Sequence, residues 1–108
     1  MKIAFALKNH LGLNSEVGAS ISGSEYFTVV DIEDKKLKKV QNIENIFYEH
    51  QNIDEDEFIK FIQSLEIDKL AIFKIDDPAI KEKLKNNNIS VIEGVNGRIA
   101  DVLNSFNS

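Results

Sequence analysis

The sequence predicts an α/β domain in which five strands and three helices follow one another as β-β-β-α-β-α-β-α, with the strands in one mixed sheet of order 3-2-1-4-5. Three observations carry this. Residues 3–7, IAFAL, are apolar without interruption, as in a strand buried on both faces at the centre of a sheet. Residues 25–43 hold two runs of strand formers separated by Asp34-Lys35, which reads as an antiparallel hairpin. Beyond residue 54 the rhythm changes, and helical spacing alternates with short apolar runs as in right-handed β-α-β crossovers.

After the first strand, residues 9–24 are rich in Gly, Ser and Asn and predict a loop with little regular structure. Residues 25–33 form the second strand, and Leu37, Val40 and Ile43 mark a third with a wetter face. Lys35, Lys36, Lys38 and Lys39 place that third strand at the edge, where charge discourages pairing with another chain. In the first helix Phe58, Phe61, Ile62 and Leu65 fall at i, i+3, i+4 and i+7, with Asp54 as cap and Glu57 three residues on. The acidic first turn also suits the positive end of the helix dipole. Residues 70–75 are the next buried strand. Asp77-Pro78 then opens a second helix, with Ile80 and Leu84 facing inward and Asn86-Asn87-Asn88 ending it. Residues 89–92 make the fifth strand, and Asn96 is expected to cap a last helix carrying Ile99, Val102, Leu103 and Phe106.

A chain of 108 residues without repeat or linker is expected to be a single domain, residues 1–108. Its hydrophobic content of 43% with seven Phe supplies a core, which excludes disorder. The formal charge of −5, with both signs interspersed, argues against nucleic acid and anionic membrane as partners, since both select a concentrated positive face. There is no cysteine, so disulfides, thiolate zinc sites and cysteine-ligated iron–sulfur clusters are excluded within the chain. The opening apolar run is too short for a signal sequence, no run reaches membrane-span length, and a cytoplasmic location is expected.

The opening MKIA and the segment NSEVGASISGSEYF resemble the nitrogenase iron-molybdenum-cofactor biosynthesis family. There a Met-Lys-Ile-Ala strand leads to Asp-Ser-x-Val-Ser-x-His-Phe-Gly-Arg-Ala-x-Tyr-Phe. Ser15, Val17, Tyr26 and Phe27 match; Ser20 stands at the His position, Ile21 at the Phe, Ser22 at the Gly and Gly23 at the Arg. Glu44-Asn45 matches a pair that ends the family's third strand, and residues 93–97 leading into Ile99-Ala100-Asp101 match its glycine loop and final helix. After the fourth strand, Lys74 and Asp77 stand where the family has glycines, with Pro78-Ala79 kept at the helix start. The resemblance implies the ribonuclease-H-like arrangement of the sheet. It also implies a non-enzymatic protein that carries a metal cofactor or assists its assembly, here with the family's ligand residues largely replaced. The alternative on the same fold is a cofactor-free protein-interaction or regulatory module.

The candidate binding residues are His10, Ser20, Ser22, His50, Gly94 and Asn96, around a pocket between residues 9–24 and the final glycine loop. His10 and His50 are the only imidazoles and the only strong metal ligands apart from carboxylates. Ser20 and Ser22 offer hydroxyls, and the loop at Gly94 and Asn96 precedes a helix N-terminus that suits an anion. Asp76-Asp77 is expected near the pocket mouth, where it would repel an anionic cluster. Any iron-molybdenum or iron–sulfur cluster is therefore expected to bind weakly, through His10 or His50. No catalytic residues are expected: the central strand lacks the carboxylate that a two-metal nuclease places there, and no nucleophile elbow or phosphate loop occurs. A protein partner fits both readings.

Overall fold

In the computed structural model, which describes residues 1–9, 11, 14–18 and 20–107 (of 105–107 the backbone alone), β1 (Lys2–Leu7) is the middle strand of a five-stranded sheet. It pairs antiparallel with β2 (Tyr26–Glu33) and parallel with β4 (Lys69–Ala71). β3 (Lys36–Glu44) flanks β2, and β5 (Ser90–Ile92) runs parallel to β4 on the other side. The order 3-2-1-4-5 is the one expected. Three helices complete the chain: α1 (Glu55–Ser64), α2 (Pro78–Asn86) and α3 (Ile99–Asn107).

The unbroken apolar run of β1 serves two cores, because successive side chains point to opposite faces. Ile3, Phe5 and Leu7 cluster with Val30, Ile32 and α3, whose Ile99, Val102 and Leu103 are buried. Ala4 and Ala6 belong to the opposite core, where Phe27, Phe58, Ile62, Ile80 and Leu84 fill the space under α1 and α2. A strand with one wet face could not supply both.

The hairpin turns at Asp34-Lys35, with Glu33 facing Lys36 and φ of 52° and 65° at the two turn residues. Two consecutive left-handed residues are the type I′ geometry that matches the twist of the flanking strands. Asp31 faces Lys39 while Ile32 faces Leu37, so Lys38 is an extra residue in the edge strand, a bulge that further blunts it. Helix starts follow their caps: Asp54 Oδ1 accepts from the Glu57 N–H at 3.0 Å, and Asp77 Oδ1 from the Ala79 N–H at 2.9 Å. Lys83 of α2 reaches Asp56 and Glu55 of α1 at 2.8 and 3.2 Å. The hydrogen bond to Lys83 lowers the Asp56 pKa and raises that of Lys83 in turn.

Three details differ from expectation. β4 stops at Ala71: the Ile72 N–H still donates to Ile92 O of β5 (3.0 Å), but the Phe73 N–H turns away from the sheet to Gly18 O (3.3 Å). Asn96 does not cap α3: the left-handed Gly97 and then Arg98, which bridges to Glu16, separate it from the helix, which begins at Ile99. Residues 14–18 and 20–24 are packed as well as looped. Ser15, Val17, Ile21 and Ser24 are buried, the Lys8 N–H donates to Glu16 O and the Gly18 N–H to Ala6 O. Among the described residues, no helix is long and apolar enough to cross a membrane.

Candidate functional site

The segments that follow β1, β3 and β4 all leave the sheet at the same end, since Leu7 is level with Tyr26, and Tyr26 with Glu44. Open α/β sheets collect ligands at this carboxyl end of their parallel strands. There the three segments enclose a cleft of about 140 Å³. Its polar lining is Ser20, Ser22, His50, Gln51, Asp76 and Asp77, and Ile21, Ile53 and Ile80 provide the apolar part.

Each wall has a local cause. The serine wall turns tightly because Ser20 Oγ accepts from the Gly23 N–H (3.0 Å), while Ser20 O accepts from Ser24 Oγ (2.6 Å). The histidine wall is a run of turns in which the His50 N–H donates to Phe47 O (3.1 Å) and Glu49 takes a left-handed φ of 64°. Phe47 anchors it: buried, it packs edge-on against Phe58 (5.4 Å between ring centres) and against the His50 ring (6.2 Å). The third wall is the start of α2, where Asp77 is occupied as the cap and Asp76 lies 3.9 Å from Lys74 Nζ.

Two of these walls are joined by Asn45, which is only 5% exposed. Its Nδ2 donates to Ile21 O and Ser24 O, both at 2.7 Å, and its Oδ1 accepts from the Phe47 N–H at 2.9 Å. The Glu49 N–H donates to Ser22 O at 2.8 Å, adding a backbone bond across the same junction. Beside it, partial desolvation of the otherwise exposed Tyr48, the nearby carboxylates of Glu49 and Glu25 and a hydrogen bond to Glu25 push its hydroxyl pKa up.

Of the expected binding residues, Ser20, Ser22 and His50 meet in this cleft. Gly94 and Asn96 are not part of its lining, and His10 lies outside the described residues. The glycine turn is sewn instead to residues 15–18. The Val17 N–H donates to Gly97 O (2.9 Å), the Ile99 N–H to Ser15 O (3.0 Å), and the Gly94 N–H to Phe73 O (2.7 Å). Gly94 and Gly97 hold φ of +78° and +89°, a region that favours glycine. Among the described residues, Ser15 and Val17 thus meet the glycine turn by backbone pairing. Gln51 escaped the sequence reading, and Asn45 entered it only as half of the Glu44-Asn45 match, without a role at the cleft, although an Asn directly before a turn is a recognisable cue.

The chemistry of the donor set is narrow. The cleft offers one imidazole, two carboxylates and two hydroxyls, with no Lys or Arg among its described lining residues. Among the described residues no group of three His, Cys, Asp or Glu could hold a metal ion. This set does not fit an anionic metal–sulfur cluster, which needs thiolate or several imidazole ligands and positive groups around it.

The model of the family described as dinitrogenase iron-molybdenum cofactor matches residues 1–108. The chain belongs to that family. Solved structures place this member among similar folds. A protein named PH0822 shares 28% identity at a TM-score of 0.84, over 99% of this chain and 90% of its own. A Thermotoga protein provisionally assigned as NifB (TM1290) is 20% identical at a TM-score of 0.76, over 97% of this chain and 85% of its own. The apo form of the orange protein from Desulfovibrio gigas is 13% identical with a TM-score of 0.78, over 97% of this chain and 85% of its own. At these last identities the likeness concerns the fold. No curated protein matches the chain significantly.

Proposed function

We propose that this member of the dinitrogenase iron-molybdenum cofactor family is a non-enzymatic binding protein of the carrier or accessory kind, with the cleft at the carboxyl end of the sheet as its binding place. The observation that carries the reading is the position of Ser20 and Ser22. They belong to the segment that matches the family's most distinctive motif, and they line the same cleft as His50. In this reading residues 1–108 act as one domain with the ribonuclease-H-like arrangement, in the cytoplasm. The family's ligand residues are largely replaced, so cargo is not held by tight metal ligation. What association a metal cluster has with this chain is weak and runs through His50 and His10. Among the described lining residues, no hydroxyl has the partners of an activated nucleophile, which supports a role without catalysis.

A second reading, a cofactor-free interaction module, is favoured by a separate observation. Ile46, Tyr48 and Phe73 are exposed large side chains on the segments that leave the same end of the sheet, and Ile46 is 62% exposed. Anaerobic purification followed by iron and molybdenum analysis and a search for a charge-transfer absorption band separates the two. The carrier reading expects metal well below one equivalent, lost in His10→Ala/His50→Ala. Tight stoichiometric metal that survives both substitutions would overturn the assignment of the site and direct attention to the serine hydroxyls and the Gly94 turn. Wild-type protein without metal or band leaves the interaction module as the reading.

A further inference from the structure

We propose that Asn45 is a positioning residue of the cleft: its side-chain amide sets the spacing between the serine wall and the histidine wall, and only an amide can do so. The proposal rests on the reading of the cleft as the binding place. Neither wall belongs to a strand, so no ladder of backbone bonds fixes one against the other. Asn45 takes over that task. An amide has two N–H donors and one carbonyl, and all are used: two donors on the Ile21 and Ser24 carbonyls, the acceptor on the Phe47 N–H. Its backbone adds a bond to Glu25 O (3.0 Å) and one from the Tyr48 N–H (3.1 Å). The residue therefore reaches both sides of the junction at five points, with Ser20 and Ser22 on one side and His50 on the other.

The chemistry of the pocket around Asn45 is selective. Two carbonyl oxygens converge on Nδ2, so a carboxylate there would place negative charge against two acceptors in a buried site. A protonated carboxyl retains one donor. Asn45→Asp consequently turns the junction into a pH-dependent one: burial and the carbonyls raise the carboxyl's folded pKa above its unfolded value. Closure is then kept at low pH and lost as pH rises through the folded pKa. Asn45→Ala removes all three side-chain bonds at any pH.

Amide hydrogen exchange read by NMR tests this without any ligand. In wild type, both Asn45 side-chain amide protons exchange slowly. In Asn45→Ala, exchange at Ser24, Glu49 and His50 rises at least tenfold more than at Ile3 and Phe5 of β1, and the His50 ring resonances move toward their unfolded positions. In Asn45→Asp, the same amides, corrected for intrinsic rates, lose protection as pH rises. A merely structural role predicts loss at all amides in proportion to global stability, and that uniform pattern overturns the proposal. So do Asn45 side-chain protons that exchange at solvent rates in wild type, a readout that stands even if a variant fails to fold. Failure of the carrier reading appears separately, as wild-type protein that purifies without metal while Asn45 keeps its local effect.

Discussion

Replacing Gly18 with alanine places one carbon where the structure has least room for it. The added Cβ falls on Ser24 Oγ and lies 3.1 Å from Ser24 Cβ. The backbone cannot slide away easily, because the Gly18 N–H is bound to Ala6 O at 2.7 Å and its carbonyl accepts from the Phe73 N–H. Its φ lies outside the left-handed region, so space and not conformational freedom is what the glycine supplies. The side chain that must yield is buried Ser24, whose hydroxyl donates to Ser20 O at 2.6 Å. Overpacking costs about 1–3 kcal/mol and the displaced hydrogen bond roughly 1 kcal/mol more. Gly18→Ala should therefore destabilise by about 2–4 kcal/mol, a fall in Tm on the order of 10–20 °C for a domain of this size. Urea titration and thermal melts followed by circular dichroism measure it. A double-mutant cycle with Ser24→Ala isolates the cause: with the hydroxyl gone, the pair should lose at least about 1 kcal/mol less than the sum of the single changes. Wild-type stability of Gly18→Ala, or additivity within about 0.5 kcal/mol, would refute the packing argument.

Ala4 is fully buried in the middle strand, and Ala4→Asp buries an unpaired charge between the sheet and two helices; the loss should exceed about 4 kcal/mol and lower Tm by roughly 15 °C or more. A cooperative melt near that of wild type would contradict the central placement of β1. At the hairpin, Lys35→Gly relieves a left-handed conformation that costs an ordinary residue about 1–2 kcal/mol, against roughly 0.5–1 kcal/mol for the flexibility of glycine. Tm should rise by about 2–4 °C, and a fall would count against the type I′ turn.

The fold was legible because its strongest signals are local and agree with one another. The apolar run of β1, the Asp34-Lys35 turn and the two capped helices each have a short-range cause, and those causes hold in the structure. What the sequence concealed are positions decided by distant backbone. Ile72 to Ile75 have the composition of a strand, yet the chain leaves β4 at Ala71, because the carbonyl that meets Phe73 belongs to Gly18. Asn96 has the composition of a helix cap, but the left-handed Gly97 and the bridge of Arg98 to Glu16 delay α3 to Ile99. Small polar residues over 9–24 suggested a loop with little regular structure, whereas Ser15 and Ser24 are buried and bonded.

The candidate site was half legible for a related reason. His50 could be named because the chain has only two imidazoles, and Ser20 and Ser22 because they stand in a hydroxyl-rich stretch of the segment that resembles the family motif. Their meeting depends on Asn45, a residue type whose side chain is as common in ordinary turns as in structural clamps. The carboxylates carry the opposite lesson. Asp77 is explained twice, as the cap of α2 and as a cleft residue, and one role does not cancel the other. The carboxylate that starts α2 by accepting from the Ala79 N–H is the same one that lines the cleft, so it cannot be removed from the cleft without loosening the helix start. The negative field of the cleft is thus tied to the fold. An anionic cargo has to be accommodated against it, whereas a neutral or hydrogen-bonding surface does not.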